Sequence, residues 1–395
     1  MPKESKALFW AGVLCQWGMC LTGMHPKMHL QASQKRQIEG NQSGFSAAFV
    51  INLELMKMPE EMTYSKAGVN LEREVLAIKN IKKWVGKTFE FRKGKVGEVM
   101  KDVGLYANVI DMGEYALAVC MDGVGSKVLV AQELNKFDTV GIDLVAMNVN
   151  DAICLGAEPI AMVDYMAFSR TDPDMARDLA IGIYEGARQA EIAVVGGETA
   201  TLPDIITGVE GRGFDLAATV IGIVKKDRII TGEKISPGDV VLGMKSSGIH
   251  SNGLTLARKV LPKTMWSALL TPTRIYVKEV MELIGKFDVH GLAHITGSGF
   301  LNLARSTKYG FYLDGIPEAM IFKKIQELGN VTDKEMYKTF NMGIGFCIIA
   351  GKDDAKKILE EYGEKFGISE IGRVTEESGV RISKGGKVFT LDGTK

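Results

Sequence analysis

Residues 115–127 read Tyr-Ala-Leu-Ala-Val-Cys-Met-Asp-Gly-Val-Gly-Ser-Lys, an apolar run that ends in a turn of small and charged residues. Residues 115–121 are typical of a buried strand, because a short apolar run followed by a turn signal favours one. In the turn, small residues let backbone N–H groups face an anion, Lys127 adds a positive charge, and Asp122 can hold a divalent cation. The glycine spacing before Lys127 is not that of a Walker A loop. Taken alone, the turn fits a plain surface loop with a solvated lysine at least as well.

Strands and helices alternate beyond this turn, which predicts an α/β (α+β) fold. Apolar periodicity predicts helices over 141–157, 174–190 and 274–285, and strands over 159–168, 192–195 and 240–244. The predicted apolar face of the second helix contains Ala176, Leu179, Ala180, Ile183 and Ala187. Charge, glycine and proline at 225–239 predict a boundary. The chain is long enough for two domains, which we place at residues 62–230 and 238–395.

The composition argues against several partners. Lys plus Arg number 48, as do Asp plus Glu, so charge gives no reason to propose a nucleic acid or an acidic membrane as partner. None of the five cysteines forms a C-x-x-C pair, and Cys120, Cys154 and Cys347 lie in apolar surroundings typical of buried free thiols. These features predict a cytoplasmic protein without a disulfide framework.

The first 61 residues differ from the rest of the chain. An apolar run at 8–24 lies at the lower edge of the ~17–25 residues that span a membrane, and no clear signal-peptidase site follows it. The next segment is polar and has no helical or strand period. Because Met56, Met58 and Met62 precede the well-patterned part, we predict that residues 1–61 are an over-extended reading frame or a disordered extension.

The predicted helix 141–157 places polar side chains on one stripe. The stripe contains Asp143, Met147, Asn150, Asp151 and Cys154. A buried carboxylate is costly unless it is paired or bound to metal, so the stripe is either a ligand site or a polar outer face, and spacing alone does not decide. At a rise of ~1.5 Å per residue, Asp143 and Asp151 stand roughly 12 Å apart. They therefore cannot share one Mg²⁺ unless the helix is broken between them.

Three later segments repeat the pattern of small residues at the end of an apolar run. They are 196–199 (Gly-Gly-Glu-Thr), 246–253 (Ser-Ser-Gly-Ile-His-Ser-Asn-Gly) and 296–299 (Thr-Gly-Ser-Gly). The last two precede predicted helices, whose N-termini are natural phosphate sites. His250 lies in one of these loops and His294 lies in a predicted turn at 291–299, so substrate contact or acid–base chemistry competes with a structural role for each.

These segments, in this order, resemble the phosphoribosylformylglycinamidine cyclo-ligase family. The matching segments begin at Tyr64 (YSKAGV), Asp122 (DGVGSK), Gly141 (GIDLVAM), Asn150 (ND), Gly156 (GAEP), Gly196 (GGETA), Ser246 (SSG), His250 (HSNG), Pro272 (PTRIYV), Val289 (VH), Ala293 (AHITG) and Phe340 (FNMGIG). The similarity covers roughly residues 63–380, and so many short segments in register make it specific.

The resemblance implies a homodimer whose N-terminal domains pair their sheets into a shared barrel, with each C-terminal domain as an α/β layer alongside. It also implies that formylglycinamidine ribonucleotide and ATP, with Mg²⁺, give aminoimidazole ribonucleotide, ADP and phosphate. In that reaction ATP phosphorylates the formyl-amide oxygen, the amidine nitrogen closes the ring, and phosphate leaves.

The resemblance also assigns roles to individual residues. Asp122 and Asp151 look like the Mg²⁺ ligands, with Asp151 also catalytic. Lys127 and Lys82 would neutralise ATP phosphates, while His250 and His294 would bind substrate or transfer protons. The other ATP or phosphate contacts implied are Gly123, Gly125, Asp143, Gly196, Gly197, Glu198, Ser247, Gly248, Asn252, Thr296 and Gly297.

Two segments depart from the family pattern. Residues 97–108 contain fewer glycines than the run that is taken to close over the nucleotide, and Ser298 replaces a glycine of the 296–299 turn. Two alternatives stay open: another ATP-dependent synthetase or kinase of the same superfamily, and a non-catalytic nucleotide-binding subunit. The acids Asp122 and Asp151 together with Lys127 argue against the second, because a degenerate binder has no need of metal ligands.

Overall fold

The computed structural model describes residues 62–63, 66–67, 71–100 and 106–391. The predicted extension 1–61, with Cys15 and Cys20, lies outside these ranges, as do residues 101–105 of the glycine-poor segment. Within the described ranges, no helix is both long enough and apolar enough to cross a membrane. Cys120, Cys154 and Cys347 are free and buried, which confirms the prediction for these three thiols.

Strands and helices alternate along most of the described chain. The helices are α1 (Leu71–Val85), α2 (Lys127–Leu134), α3 (Val140–Ile153), α4 (Pro173–Ala190), α5 (Leu254–Val260), α6 (Val277–Lys286), α7 (Met320–Gly329), α8 (Asp333–Thr339) and α9 (Lys352–Phe366). The strands are β1 (Asn108–Asp111), β2 (Tyr115–Gly123), β3 (Glu158–Phe168), β4 (Ala193–Thr201), β5 (Phe214–Lys225), β6 (Val240–Lys245), β7 (Val289–His294), β8 (Gly310–Leu313), β9 (Ile344–Ala350), β10 (Ile368–Thr375), β11 (Val380–Lys384) and β12 (Lys387–Leu391). The 3₁₀ helices are Gly86–Arg92, Val209–Gly211, Lys226–Arg228, Lys263–Leu270 and Gly299–Arg305.

The first sheet has the order β1-β2-β5-β3-β4 and is antiparallel except for the parallel pair β3–β4. Helix α3 packs against β2, β3 and β5, and α4 packs against α3. Along β5 buried residues alternate with more exposed ones, which is the pattern of a sheet covered on one face only. The opposite face of this sheet is therefore open in the isolated chain.

The second sheet has the order β12-β11-β8-β10-β6-β9-β7 and is antiparallel except for β8–β11. Every residue of β9 is buried, as expected for a strand covered on both faces. The segment 226–239 leads from the first sheet to the second. The mixed α/β prediction is confirmed. The division into domains of residues 62–230 and 238–395 stays a prediction, which separate expression of the two segments would test.

Two predicted turns are strands instead. Residues 196–199 continue β4, where Gly197 lies opposite Asp164 of β3 and its missing Cβ leaves room for the Asp164 carboxylate. Residues 291–294 form the end of β7 and pair with β9. There a Cβ on Gly291 would overlap the side chain of Ile235. In both strands glycine marks close packing rather than a change of chain direction.

Glycine also sets the contact between α3 and α4. A Cβ on Gly141 of α3 would collide with the backbone of α4, and Gly182 and Gly186 face α3 from the other side. The predicted apolar face of α4 was therefore partly wrong, since Ala180 is exposed while Gly182 and Gly186 are buried. The two helices therefore pack in backbone contact with each other while α3 packs on the first sheet.

The crossing can be tested with a pair of glycine variants. We expect Gly141→Ala to lower the free energy of unfolding by about 3 kcal/mol, at the upper end of overpacking costs, because backbone atoms must move to admit the methyl group. Gly285→Ala in α6 is the matched control, since open space surrounds that glycine, and it should be neutral or stabilise by up to about 1 kcal/mol. Urea unfolding measures both, and equal effects would contradict this account of the crossing.

Candidate active site

Asp122 is held at the end of β2 by a buried side chain of α3. The Asn148 amide accepts a hydrogen bond from the Asp122 N–H at 2.9 Å and donates one to the Asp122 carbonyl at 3.1 Å. The Asp122 carboxylate accepts from the N–H of Gly123 at 2.8 Å. Asn148 precedes Asp151 by three residues, so the two lie on neighbouring positions of the helix surface. The backbone of the predicted turn is thus tied to the helix that carries Asp151.

Asp151 connects α3 to the second sheet through His294. The Asp151 carboxylate lies 2.8 Å from Nδ1 of His294, the last residue of β7. Since a carboxylate only accepts, Nδ1 carries the proton. His294 is fully buried, and its Nε2 has no hydrogen-bond partner among the described residues. The geometry thus leaves one ring nitrogen of a buried histidine available to a ligand.

The two carboxylates repel each other electrostatically. Burial, and next the negative charge of Asp151, raise the pKa of Asp122 from its ordinary value of 3.8 to about 6. The hydrogen bond from the Gly123 N–H, and next the electrostatic effects of His294 and Arg305, lower it by less. Near neutral pH the folded chain therefore holds two carboxylates that the surrounding protein does not fully neutralise, an arrangement that a cation would stabilise.

His250 lies in a strained loop between β6 and α5. Its φ is +61°, in the left-handed region that few non-glycine residues adopt. Its Nε2 accepts from the N–H of Ser247 at 3.3 Å, so Nδ1 carries the proton, and this buried Nδ1 has no partner within the described chain. Burial, and next the electrostatic effect of His294, hold the pKa of His250 well below its ordinary value. His250 is therefore neutral and presents an N–H donor.

Aromatic rings connect His250 to His294. The ring centroids of His250 and Tyr276 are 6.4 Å apart, those of Tyr276 and Phe346 are 5.4 Å apart, and those of Phe346 and His294 are 6.3 Å apart. Tyr276 and Phe346 are fully buried. This row of packed rings keeps the two histidines in one region and excludes water from behind them.

The loop 296–299 lies beside the loop 246–253. A Cβ on Gly297 would lie 3.3 Å from Oδ1 of Asn252, whose buried Nδ2 has no partner among the described residues. Thr296 Oγ1 lies 3.4 Å from Nδ2 of Asn302. The predicted helix after this loop is the 3₁₀ segment Gly299–Arg305. Unpaired donors and small residues thus gather where the two loops meet.

Arg305 supplies a positive charge at the edge of this region. Its guanidinium stacks over the ring of Tyr106, with 4.9 Å to the centroid, and the Tyr106 hydroxyl donates to the carbonyl of Asn302 at 2.8 Å. Arg305 is exposed, and the structure gives it no carboxylate partner within hydrogen-bond distance in the described ranges. Its charge nevertheless contributes to lowering the pKa of Asp122, so it lies within electrostatic reach of that acid.

The polar stripe of α3 is buried. Asp143 is fully enclosed and forms an ion pair of 2.8 Å with Lys127, which is also fully enclosed. Asn150 donates to the carbonyl of Arg274 at 2.9 Å and accepts from the N–H of Tyr276 at 3.0 Å. The reading of the stripe as an outer face is therefore wrong. The stripe joins the first sheet to the segments around the second.

Comparison with known proteins adds the family. Residues 104–224 match "AIR synthase related protein, N-terminal domain", and residues 236–385 match "AIR synthase related protein, C-terminal domain". A phosphoribosylformylglycinamidine cyclo-ligase of Thermococcus kodakarensis is 51% identical over 336 residues, which cover 82% of this chain and 99% of that protein. The Methanocaldococcus jannaschii protein of the same name is 49% identical over 82% of this chain and 95% of its own length. The chain belongs to the cyclo-ligase family.

Solved structures of other proteins share the fold at lower identity. The hydrogenase maturation protein HypE in complex with ATP is 18% identical with a TM-score of 0.56, covering 71% of this chain and 85% of that one. AaThiL complexed with AMPPCP and TMP is 17% identical with a TM-score of 0.56, covering 79% and 93%. At these identities the likeness supports the fold alone.

Most, but not all, of the residues predicted for a cyclo-ligase site come together. Those grouped near Asp122 and Asp151 are Gly123, His250, Asn252, His294, Thr296 and Gly297. Ser247 and Gly248 lie in the same loop as His250. The Ser247 hydroxyl donates to the carbonyl of Pro272, and the Gly248 carbonyl accepts from the side chain of Asn341. Gly125, with φ +65°, completes the turn before α2.

Four predicted contacts take other places. The predicted contacts Gly196, Gly197 and Glu198 lie within β4. A row of paired residues crosses the sheet from Asp122 of β2 through Ala218 of β5 and Asp164 of β3 to Gly197 of β4, three strands away. At ~4.8 Å per strand, that row puts Gly197 roughly 14 Å from Asp122. Lys82 lies in the last turn of α1, and no hydrogen bond or ion pair that the structure gives links it to the site, so its role stays a prediction.

Lys127 and Asp143 form the clearest departure from the predicted cyclo-ligase site. Both were expected to face ATP, yet each is enclosed and bound to the other. The physical reason is the cost of a buried charge, which requires a partner of opposite sign. Asn148, Arg305 and Tyr106 were not among the predicted site residues. Asn148 could have been found, since its three-residue spacing from Asp151 places it on the same helix surface.

The donor set fits a hard divalent cation held together with phosphate. In the described chain, no three His, Cys, Asp or Glu side chains are grouped so that they could hold a metal by themselves. Mg²⁺ is usually bound through one or two carboxylates plus substrate phosphates and water. Asp122 and Asp151 supply that number, and burial together with the charge of Asp151 raises the pKa of Asp122, so a bound cation would stabilise its carboxylate.

The electrostatic conflict at Asp122 predicts a pH-dependent stability. A carboxylate whose pKa is raised from 3.8 to about 6 favours folding when protonated, and this advantage is lost as the pH rises through 6. We therefore expect Asp122→Asn to stabilise the metal-free protein at pH 7.5, by up to about 3 kcal/mol for a shift of this size. Little gain is expected at pH 4.

Urea unfolding with a chelator present measures this difference, and the exposed Asp227→Asn serves as the control. A gain that is equal at both pH values, or matched by the control, would show that Asp122 carries no such conflict.

Proposed function

We propose that this chain converts formylglycinamidine ribonucleotide and ATP into aminoimidazole ribonucleotide, ADP and phosphate, the step that closes the imidazole ring in purine biosynthesis. The observation that carries the proposal is the group formed by Asp122, Asp151 and His294, placed where two small-residue loops meet. Relatives about half identical over most of the chain are named for this reaction. The two carboxylates of this group carry the negative charge that would bind a nucleotide-bound cation, and His294 would transfer a proton.

The reaction needs positioning and charge neutralisation more than covalent chemistry by the protein. The formyl-amide oxygen attacks the γ-phosphorus of ATP and ADP leaves. The amidine nitrogen then attacks the activated carbon, and the C–O bond to phosphate breaks. Mg²⁺, held by Asp122 and Asp151, would neutralise negative charge on the phosphates. The sites for both substrates must therefore be adjacent.

The remaining groups divide between phosphate and substrate. Arg305 is the exposed cation beside the acids and would contact phosphate in place of the enclosed Lys127. The neutral His250 presents Nδ1–H as a donor to substrate oxygen. His294, whose Nδ1 is held by Asp151, has Nε2 free to accept the proton released when the amidine nitrogen attacks. Asn252 offers its unpaired amide to either ligand.

An activity assay tests the reaction. Purified protein mixed with formylglycinamidine ribonucleotide, ATP and Mg²⁺ should form aminoimidazole product and phosphate in equal amounts. Asp151→Asn should lower kcat by about 100-fold or more, the scale for loss of one electrostatic contact to a transition state, whereas the exposed Asp227→Asn should not. ATP consumption without product would indicate another kinase or synthetase of the superfamily. No ATP turnover from folded protein would favour a non-catalytic binding subunit.

The open face of the first sheet supports a homodimer. Large apolar side chains are exposed on its strands, among them Met121, Ile160, Val163 and Val195. Contiguous exposed apolar surface of this kind marks an interaction site. A second copy presenting the same face would cover it with two-fold symmetry.

The free, buried thiols of the described residues also support a location in the cytoplasm, where cysteines are kept reduced.

Light scattering after gel filtration tests the dimer. The wild-type chain should elute with the mass of two copies. Val163→Glu should give monomers, because it would bury a charge at the centre of the proposed interface. Leu328→Glu is the control, because Leu328 is a similarly exposed apolar residue on α7 rather than on that sheet. This variant should leave the dimer intact. A monomeric wild type, or two variants that behave alike, would contradict the proposed interface.

A further inference from the structure

Lys127 is enclosed and serves the structure of the loops. Its Nζ donates to Oδ1 of Asp143 at 2.8 Å and to the carbonyl of Thr271 at 2.6 Å. Neither Lys127 nor Asp143 has exposed side-chain surface. Burial lowers the pKa of Lys127, while the charge of Asp143 acts in the opposite direction. The ammonium group thus depends on Asp143 for its stability.

Asp143 is the common acceptor of several segments. Besides Lys127, its Oδ1 accepts from the Thr273 N–H at 2.8 Å, the Thr273 hydroxyl at 2.5 Å and the Ser251 hydroxyl at 3.1 Å. Lys127 begins α2, Ser251 lies in the loop after β6, and Thr273 lies before α6. One carboxylate oxygen of α3 therefore joins three segments that are distant in the sequence.

These hydrogen bonds hold the chain on either side of His250. Ser251 is its neighbour in the chain, and Ser247, which bonds the His250 ring, also donates to the carbonyl of Pro272 at 2.5 Å. His250 has a φ of +61°, which the surrounding bonds must hold. The loop that carries His250 is thus fastened at Ser247 and Ser251, and the bond at Ser251 leads to Asp143.

We propose that Asp143, with its charge compensated by Lys127, is the acceptor that positions His250 relative to Asp122 and Asp151, and that Lys127 does not contact ATP. The inference rests on the proposed cyclo-ligase reaction. If Lys127 moved to a phosphate, it would leave Asp143 as an uncompensated charge in the interior, which is strongly unfavourable. The ion pair compensates the charge of Asp143, and the Asp143 oxygen then fixes the loop through Ser251 and Thr273.

Two double variants separate positioning from phosphate binding and from bulk stability. Lys127→Met with Asp143→Asn removes both charges but keeps an acceptor oxygen for Ser251 and Thr273. Lys127→Met with Asp143→Leu removes the charges and the acceptor. Because neither variant leaves one charge unpaired, both should fold, which thermal unfolding would check. The steady-state kcat and the KM for ATP are then compared with those of the wild type.

Positioning predicts that the Asn double variant keeps kcat within about 3-fold, whereas the Leu double variant loses about 10- to 100-fold, the scale for a displacement near 1 Å. The KM for ATP should stay within about 3-fold in both. Equal kcat in the two variants would overturn the proposal. So would a KM for ATP raised about 10-fold or more in both, because that result would make Lys127 a phosphate contact.

If the double variants do not fold, Ser251→Ala gives the answer, since it leaves the ion pair in place. A lower kcat with unchanged KM for ATP supports positioning, and an unchanged kcat refutes it. If the wild type itself makes no aminoimidazole product, that result refutes the proposed function and not this inference. ATP binding measured by calorimetry then still tests the inference, because variants without Lys127 should bind ATP as the wild type does.

Discussion

The buried polar stripe of α3 is the constraint on which the rest of the structure depends. A charge or amide taken out of water must find a partner, and an unpaired buried charge costs several kcal/mol. Asp143 pairs with Lys127, Asn150 with the backbone at Arg274 and Tyr276, and Asp151 with His294. Each of these bonds leads to a different segment, so satisfying the helix also fixes how those segments stand around it.

The site inherits its geometry from this requirement. Asn148 holds the backbone of Asp122 beside the helix, and Asp151 holds the ring of His294. Two carboxylates are thereby forced close together, and burial together with their mutual repulsion keeps the pKa of Asp122 raised. A left-handed backbone at a non-glycine residue costs of order 1–3 kcal/mol, yet the bonds around His250 maintain one. Stability is given up at the positions where ligand chemistry is expected.

In the described part of the chain, glycine serves different purposes at different positions. At Gly125 it allows a left-handed turn before α2. At Gly141 it allows two helices to touch, and at Gly197 it admits a neighbouring carboxylate within a sheet. A cluster of small residues therefore indicates a close approach of some kind. Which partner approaches, whether backbone, side chain or phosphate, depends on what the fold brings alongside.

The sequence by itself determined the α/β class, the main strands and helices, and the family, and it predicted Asp122 and Asp151 as the acids of the site. These follow from local periodicity and from short motifs that lie within one segment, where residue spacing translates directly into geometry. The tertiary structure alone decided that Lys127 and Asp143 are enclosed together, that residues 196–199 are a strand, and that the charge of Arg305 acts on Asp122. Burial and ion pairing depend on which distant segments meet, and a motif read along the chain holds no information about the other side of the contact.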